Sequence, residues 1–201
     1  MKVFVKLLPV ALAAVVAACA SPSPAPVLLT LPSTVVPLAA GAPAVPASAP
    51  LLAVRRVNIP EYLVARRVRY RADPATLAEW PNTYWAERIE VGISREFVSA
   101  LRQQLPGWPL CDTHCGDQVP GLNLQVTLVP MDFLRSAHTL HARARITLSG
   151  GSSPAHELAT RDIDVDILAN ADTAQAHAQT ISTLIEKVAA AAATLVRNAK
   201  P

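Results

Sequence analysis

The sequence predicts an α+β domain, a mostly antiparallel or mixed sheet of four to six strands with two packed helices. Two patterns lead to this class. Three segments in the second half of the chain alternate apolar and polar residues, which is typical of strands with one buried face. Two other segments repeat apolar residues every three or four positions, which is typical of amphipathic helices.

Residues 54–107 contain the first predicted hairpin and the first predicted helix. The part before Trp80 is extended, and Ala72-Asp73-Pro74 supplies the turn of the hairpin. A helix is predicted after Trp85, and Pro106-Gly107 ends it. Its apolar stripe is Ile89, Ile93, Phe97, Leu101 and Leu105. Its charged residues are expected to face water: Arg88, Glu90, Arg95, Glu96 and Arg102.

The alternating segments predict strands over residues 122–128, 140–148 and 163–167. Residues 150–154 form a Gly-Ser-Pro connection between the last two, which sets Arg143 and Arg145 opposite an aspartate row. A catalytic carboxylate needs a desolvated pocket that shifts its pKa, and a row of solvated aspartates lacks one. We therefore interpret the row as structural rather than metal-binding or catalytic. The row is Asp162, Asp164 and Asp166.

A long helix is predicted to close the chain. Asp172 followed by Gln175 resembles a capping box at its start. The apolar stripe is expected to pack on the core, and a subunit interface is the alternative. The stripe consists of Ile181, Leu184, Ile185, Val188, Ala192, Leu195 and Val196.

The N-terminus has the organisation of a lipoprotein signal. Two lysines precede an apolar run over residues 7–18 that is too short to span a bilayer. Val16-Ala17-Ala18-Cys19 matches a lipobox, so residues 1–18 are predicted to be a signal peptide and Cys19 the lipidated residue. An ordinary signal peptide with an incidental cysteine is the alternative. Acyl chains on Cys19 would anchor the protein firmly.

Residues 19–50 are predicted to be a proline-rich tether, with residues 27–31 as a possible first strand, and residues 51–201 the folded domain. Ala20, rather than aspartate, follows the cysteine, which by the sorting rule of diderm bacteria favours the periplasmic face of the outer membrane. Removal of Lys2 and Lys6 lowers the formal charge from +3 to +1. A near-neutral chain argues against nucleic-acid binding.

Cys111 and Cys115, four positions apart, are expected to form a disulfide in an oxidising compartment. Two free thiols, or a metal site that includes His114 and Asp112, are the alternatives. The chain lacks the second spaced pair of ligands that zinc sites usually have. It also contains no P-loop, no G-x-S-x-G elbow and no H-E-x-x-H motif. We therefore expect no catalytic residue, no cofactor and no metal.

The order of motifs in residues 54–87 is similar to that of a known family. Val54-x-x-Val57, Pro60-x-Tyr62-Leu63 and an arginine-bearing strand precede Trp85-Ala86-Glu87. This order resembles the PqiC-like auxiliary lipoproteins of ABC-type lipid transport systems. The family often has proline after W-A-E, where this chain has Arg88.

The resemblance implies a non-enzymatic subunit that supports membrane integrity and docks an MCE-domain protein bridging the periplasm. It also implies a ring of identical subunits. Two other functions stay open: a periplasmic lipid- or ligand-binding lipoprotein, and an assembly factor for outer-membrane machinery. The resemblance also suggests which residues would contact the partner, and ordinary core or hairpin packing is their alternative role. The expected contacts are Tyr62, Leu63, Tyr84 and Trp85.

Overall fold

The computed structural model describes residues 24–33, 49–112, 115–150 and 156–199. Cys19, the predicted signal and much of the predicted tether lie outside these ranges. Within them, eight strands form one sheet: β1 (Val27–Leu29), β2 (Leu52–Val54), β3 (Arg67–Asp73), β4 (Thr76–Trp85), β5 (Leu110–Cys111), β6 (Leu122–Leu134), β7 (Thr139–Gly150) and β8 (His156–Leu168). The two helices are α1 (Ile89–Gln104) and α2 (Ala174–Asn198).

The long strand β6 organises the sheet. β7 pairs with it antiparallel along one side, and β8 pairs antiparallel with β7. On the other side, β2 runs parallel to the first residues of β6, and β3 meets the last residue, Leu134. The β3–β4 hairpin then carries β1, which pairs parallel with β4. The predicted fold class is confirmed, and the strand count exceeds four to six because β1, β2 and β5 have only two or three residues each.

The predicted hairpin and the three alternating strands are present. The Asp73 carboxylate accepts a hydrogen bond from the Ala75 backbone N–H (2.9 Å), which closes the β3–β4 turn. β4 continues to Trp85, five residues beyond the expected end near Trp80. Across β7 and β8, Arg143 lies opposite Asp164 and Arg145 opposite Asp162, as the alternation predicts.

Both helices cover the apolar face of the sheet. They pack against each other, and α2 also lies over β7 and β8. Complete burial of one leucine or phenylalanine side chain contributes about 1.5–3 kcal/mol, so this single core accounts for much of the stability. Its largest fully buried members include Phe97, Leu101, Leu124, Phe133, Ile146, Leu148, Ile181 and Leu184.

Two glutamates of α1 depart from the prediction that they face water. Glu90 is 6% exposed and Glu96 is 7% exposed. The segment after β1 crosses this side of the helix, and the Ser33 hydroxyl donates to Glu96 Oε1 (3.2 Å). Leu31 comes so near that a Cβ at Gly92 would lie 3.6 Å from its Cδ1. A segment about sixty positions earlier therefore covers a face that periodicity alone assigns to solvent.

The cap of α2 also differs from the prediction. Thr173, not Asp172, is the N-cap residue, and its hydroxyl accepts from the Ala176 backbone N–H (3.1 Å). Asp172 instead forms a bidentate pair with Arg135, with an Nε–Oδ1 distance of 2.8 Å. Asp172 and Thr173 could each cap this helix. Because Arg135 binds Asp172, Thr173 is the residue that caps it.

Candidate partner-docking site

Two loops meet at the start of α1 and enclose a cleft of about 410 Å³. Residues 64–66 form one wall, residues 85–88 form the other, and Glu90 completes the lining. We call this the α1 cleft. The Trp85 N–H donates to the Arg66 carbonyl (2.7 Å), and the Ala86 N–H donates to the Leu29 carbonyl (2.8 Å). These bonds hold both walls in place because they tie them to the sheet.

Trp85 belongs to the core, which corresponds to the alternative role of core packing that the sequence left open for the expected contacts. Its side chain is 4% exposed, and its ring meets the edge of His177 at a centroid distance of 6.4 Å. His177 stacks in turn on Phe133 (4.4 Å). Complete burial lowers the pKa of His177 to about 3, so the imidazole stays neutral at pH 7. Because its side chain is buried in the core, Trp85 holds the wall formed by residues 85–88 in position.

Glu90 is the unusual group of the α1 cleft. It occupies the second position of α1, where the helix dipole favours a negative charge. Arg88 forms an ion pair with it. Even so, neither carboxylate oxygen accepts a hydrogen bond from any group in the described part of the chain. The ion pair comes from an arginine side chain that is 70% exposed, so it compensates the buried carboxylate only in part, and the site suits a further donor or cation from outside.

The other glutamates nearby are satisfied. Glu87 accepts from Arg95 Nη1 through both oxygens (2.7 and 2.6 Å). Glu96 accepts from the same guanidinium (3.1 and 3.0 Å) and from Ser33. Glu90 is the residue that the sequence prediction missed, since an amphipathic pattern treats every helical glutamate as solvated. The Trp-Ala-Glu-Arg stretch, which ends two positions before Glu90, was the available signal.

The remaining predicted contacts lie around the α1 cleft in different environments. The Tyr62 hydroxyl donates to Asp132 (2.9 Å), and burial together with that carboxylate raises the pKa of Tyr62. Leu63 is half-buried against the core. Tyr84 is half-buried with the Arg67 guanidinium over its ring at 5.2 Å. These three side chains thus keep some exposure, unlike Trp85.

Asp132 reaches Tyr62 because β6 changes its inward side. The register shifts between Leu128 and Met131, so the buried positions change from even to odd numbers. Asp132 then points to the outer face, where it also binds Arg71 Nε (3.0 Å). This pair positions Tyr62 next to the loop that forms one wall of the α1 cleft.

No group of three or more His, Cys, Asp or Glu side chains that could hold a metal occurs within the described ranges. Cys111 and Cys115 are joined in a disulfide, and their Cα atoms are 5.3 Å apart. His114, which the alternative metal site required, lies outside the described residues. No helix among those described is long and apolar enough to cross a membrane.

The family model of the ABC-type transport auxiliary lipoprotein component matches residues 30–193. The chain belongs to this family. The match confirms the PqiC-like resemblance, and it means that this auxiliary lipoprotein works in association with an ABC-type transport system. The family is not an enzyme class. No curated protein matches the chain in sequence.

Solved structures share the fold of this auxiliary lipoprotein. A crystal structure of an uncharacterized protein superposes with a TM-score of 0.68 at 17% identity, over 86% of this chain and 99% of that one. Protein XCC0632 from Xanthomonas campestris, assigned to DUF330, superposes with a TM-score of 0.55 at 15% identity, over 86% and 90% of the two chains. At these identities the likeness concerns the fold alone.

Proposed function

We propose that this auxiliary lipoprotein docks a periplasm-spanning MCE-domain protein at the α1 cleft and thereby serves a lipid transport system. One observation carries the location. Trp85–Glu87, one stretch that resembles the family, lines the α1 cleft, and the opposite wall, residues 64–66, directly follows the other such stretch, Pro60–Leu63. The role is non-enzymatic, and it supports the integrity of the outer membrane.

The proposed organisation follows from the N-terminal sequence. Residues 1–18 are removed, acylated Cys19 inserts in the outer membrane, and the domain faces the periplasm. Stable attachment requires two acyl chains, and a mature lipoprotein cysteine carries more than one. The domain is then held at the membrane where the far end of a periplasmic bridge arrives.

The chemistry of the α1 cleft indicates what it would accept. Val64, Ala65 and Ala86 offer apolar contact, and Glu90 offers a buried carboxylate that is paired with Arg88 but accepts no hydrogen bond from the described residues. A lysine, an arginine or a free backbone N–H on a loop of the partner would satisfy that carboxylate. Desolvated polar pairs at the centre of an interface are the contacts that give specificity.

In-cell photo-cross-linking tests the proposal. The photoreactive residue is placed at Ala86 or Arg66, which are exposed at the rim of the α1 cleft, and at Thr160 on β8 as a control. Trp85 is unsuitable because it is buried. We expect adducts with an MCE-domain protein from Ala86 and Arg66 and none from Thr160. Equal yields from all three positions would remove the α1 cleft from the proposal.

We also propose that identical subunits assemble in a ring. Native mass spectrometry of the acylated protein in detergent should show one closed oligomer rather than a monomer. If the rim positions cross-link only to other copies of this chain, the α1 cleft is a subunit interface and the partner docks elsewhere.

A further inference from the structure

A second concavity runs along α1 beside the end of β2. It has a volume of about 280 Å³, and four arginines line it together with one carboxylate, Asp112. We call it the arginine groove. Its apolar floor consists of Val54, Val91 and Val98, and its arginines are Arg55, Arg56, Arg95 and Arg102.

Three of these arginines have no carboxylate partner among the described residues. Arg95 is neutralised by Glu87 and Glu96. Among the described residues, Arg55, Arg56 and Arg102 form no ion pair with a side-chain carboxylate. All 15 Asp and Glu residues of the chain lie in the described ranges, so no acidic side chain elsewhere could supply the partner.

This concentration of charge is local and does not reflect a basic protein. The whole chain has 18 Lys and Arg against 15 Asp and Glu. On the outer face of the sheet, arginines such as Arg143 and Arg145 each have an aspartate. Arg66, Arg161 and Arg197 also lack a carboxylate partner in the described ranges, but none of them lines the arginine groove.

The backbone that carries the groove is held firmly. The Arg55 N–H donates to the Leu124 carbonyl (2.9 Å), and the Val57 N–H donates to the Ser94 hydroxyl (3.1 Å). Ser94 donates onward to the Glu90 carbonyl (2.7 Å). Arg102 lies on the same helix face as Val91 and Val98, since it follows them by eleven and four positions. The two sides of the groove are therefore prepositioned.

We propose that the arginine groove binds a phosphate-type oxyanion. Guanidinium groups bind phosphate through paired N–H donors, and three of them here have no internal acceptor of opposite charge. The side chain of Val91 is exposed next to them, so an apolar substituent on the phosphate would also find contact. The phosphate can come from a lipid headgroup or from a soluble phosphate ester. The proposal stands apart from docking at the α1 cleft.

The test uses the full mature chain with Cys19→Ser, so that no acyl chain contributes to membrane binding. Inorganic phosphate is titrated while the Nε–Hε signals of the arginines are followed by NMR. Binding to phosphatidylcholine vesicles, with and without phosphatidylglycerol, is measured in parallel. The test variant is Arg56→Gln/Arg102→Gln. The matched control is Arg161→Gln/Lys187→Gln, which removes the same charge from the groove between β8 and α2.

We expect phosphate to shift the signals of Arg56 and Arg102 and not that of Arg161. If the source is a lipid, the test variant should lose about five-fold in affinity for anionic vesicles per arginine removed, and the control much less. Phosphate shifts without a difference on vesicles would support the site and assign it to a soluble ester. Uniform shifts of all arginines, or equal losses in both variants, would overturn the proposal, because general charge attraction then explains the binding.

Discussion

Arg135 lies over the indole of Trp80, with its guanidinium carbon 4.2 Å from the ring centroid. The same guanidinium donates to the Tyr70 hydroxyl (3.0 Å) and to both oxygens of Asp172. These contacts raise the pKa of Arg135 and lower that of Asp172. One side chain thus joins the β3–β4 hairpin to the residue directly before the cap of α2.

Arg135→Gln should destabilise the protein by about 1–2 kcal/mol, after allowance for the solvent that reaches the guanidinium. Arg135→Lys should recover part of the loss, because an ammonium keeps the charge but not the planar fork. Urea unfolding at pH 7 measures both. Arg143→Gln removes an exposed arginine with one aspartate partner and should have much the smaller effect. Equal effects would mean that the Trp80 contact contributes nothing.

His177 should make stability depend on pH between about 6.5 and 3. Burial lowers its pKa to about 3 in the folded chain, so the unfolded chain binds the extra proton in this window. Stability is complete above the unfolded pKa and is lost as the pH falls. At pH 5 the expected loss is about 2 kcal/mol relative to pH 7.

The measurement compares the wild-type chain with His177→Phe by urea unfolding at the two pH values. Phenylalanine keeps a ring between Trp85 and Phe133 and cannot bind a proton. The carboxylates with a lowered pKa, Asp73, Asp162 and Asp172, lose their contribution only below about pH 4. If the two chains show the same change from pH 7 to pH 5, His177 is not the responsible group.

Glu90 and Glu96 are equally buried but differ in their partners, so their substitutions should differ as well. Glu96→Gln weakens the hydrogen bonds from Ser33 and Arg95 and should cost about 1–3 kcal/mol. Glu90→Gln removes a charge that is paired with the exposed Arg88 but accepts no hydrogen bond from the described residues, and it should change stability by less than about 1 kcal/mol.

The same pair tests the α1 cleft. Glu90→Gln should lower the cross-linking yield to the MCE-domain partner from Ala86, while Glu96→Gln should leave it unchanged as long as the protein is folded at the assay temperature. Thermal unfolding of each variant supplies that control. A larger loss of stability from Glu90→Gln would show that Arg88 already satisfies the carboxylate and that no partner is required.

Two leucines near β1 should respond differently to the same substitution. Leu31 is 4% exposed, whereas Leu28 is 56% exposed. Leu31→Ser should cost about 2–4 kcal/mol and make the segment of residues 27–33 sensitive to protease, while Leu28→Ser should have little effect on either. Urea unfolding and limited proteolysis with mass spectrometry check both. If Leu31→Ser behaves like Leu28→Ser, the segment does not hold the domain together.

Sequence patterns predicted the elements whose structure depends on residues that are close together in the chain. The period-two alternation of β6 to β8 gave the strands, and the row of aspartates opposite arginines followed from it. The burial of Glu96 could not be predicted in this way, because part of its cover comes from Ser33, sixty-three positions earlier. Glu90 lies across the α1 cleft from residues 64–66, which are also distant in sequence. The sequence left the choice between surface and core open for Trp85, because the contact that helps to bury it comes from His177 in α2.

The cap of α2 shows a second limit. Asp172 and Thr173 are both good N-cap residues, and propensity slightly favours the aspartate. What decides between them is Arg135, which comes from a turn thirty-seven positions earlier and takes the aspartate. Competition for one side chain by a distant partner leaves no trace in a local pattern. The α1 cleft is likewise assembled from segments that are separate in sequence.

The pairing of β1 with β4 determines how far the domain can stand from a bilayer. With Cys19 acylated, as proposed, only residues 20–26 lie between the anchor and Val27, the first paired residue. A fully extended chain of this length spans about 25 Å, whereas a free tether as far as residue 50 would span about 100 Å. The short connection between the acylated cysteine and β1 would then keep the β1 edge of the sheet close to the lipid headgroups. A bridging partner would have to approach to within a few nanometres of the membrane before this domain could touch it.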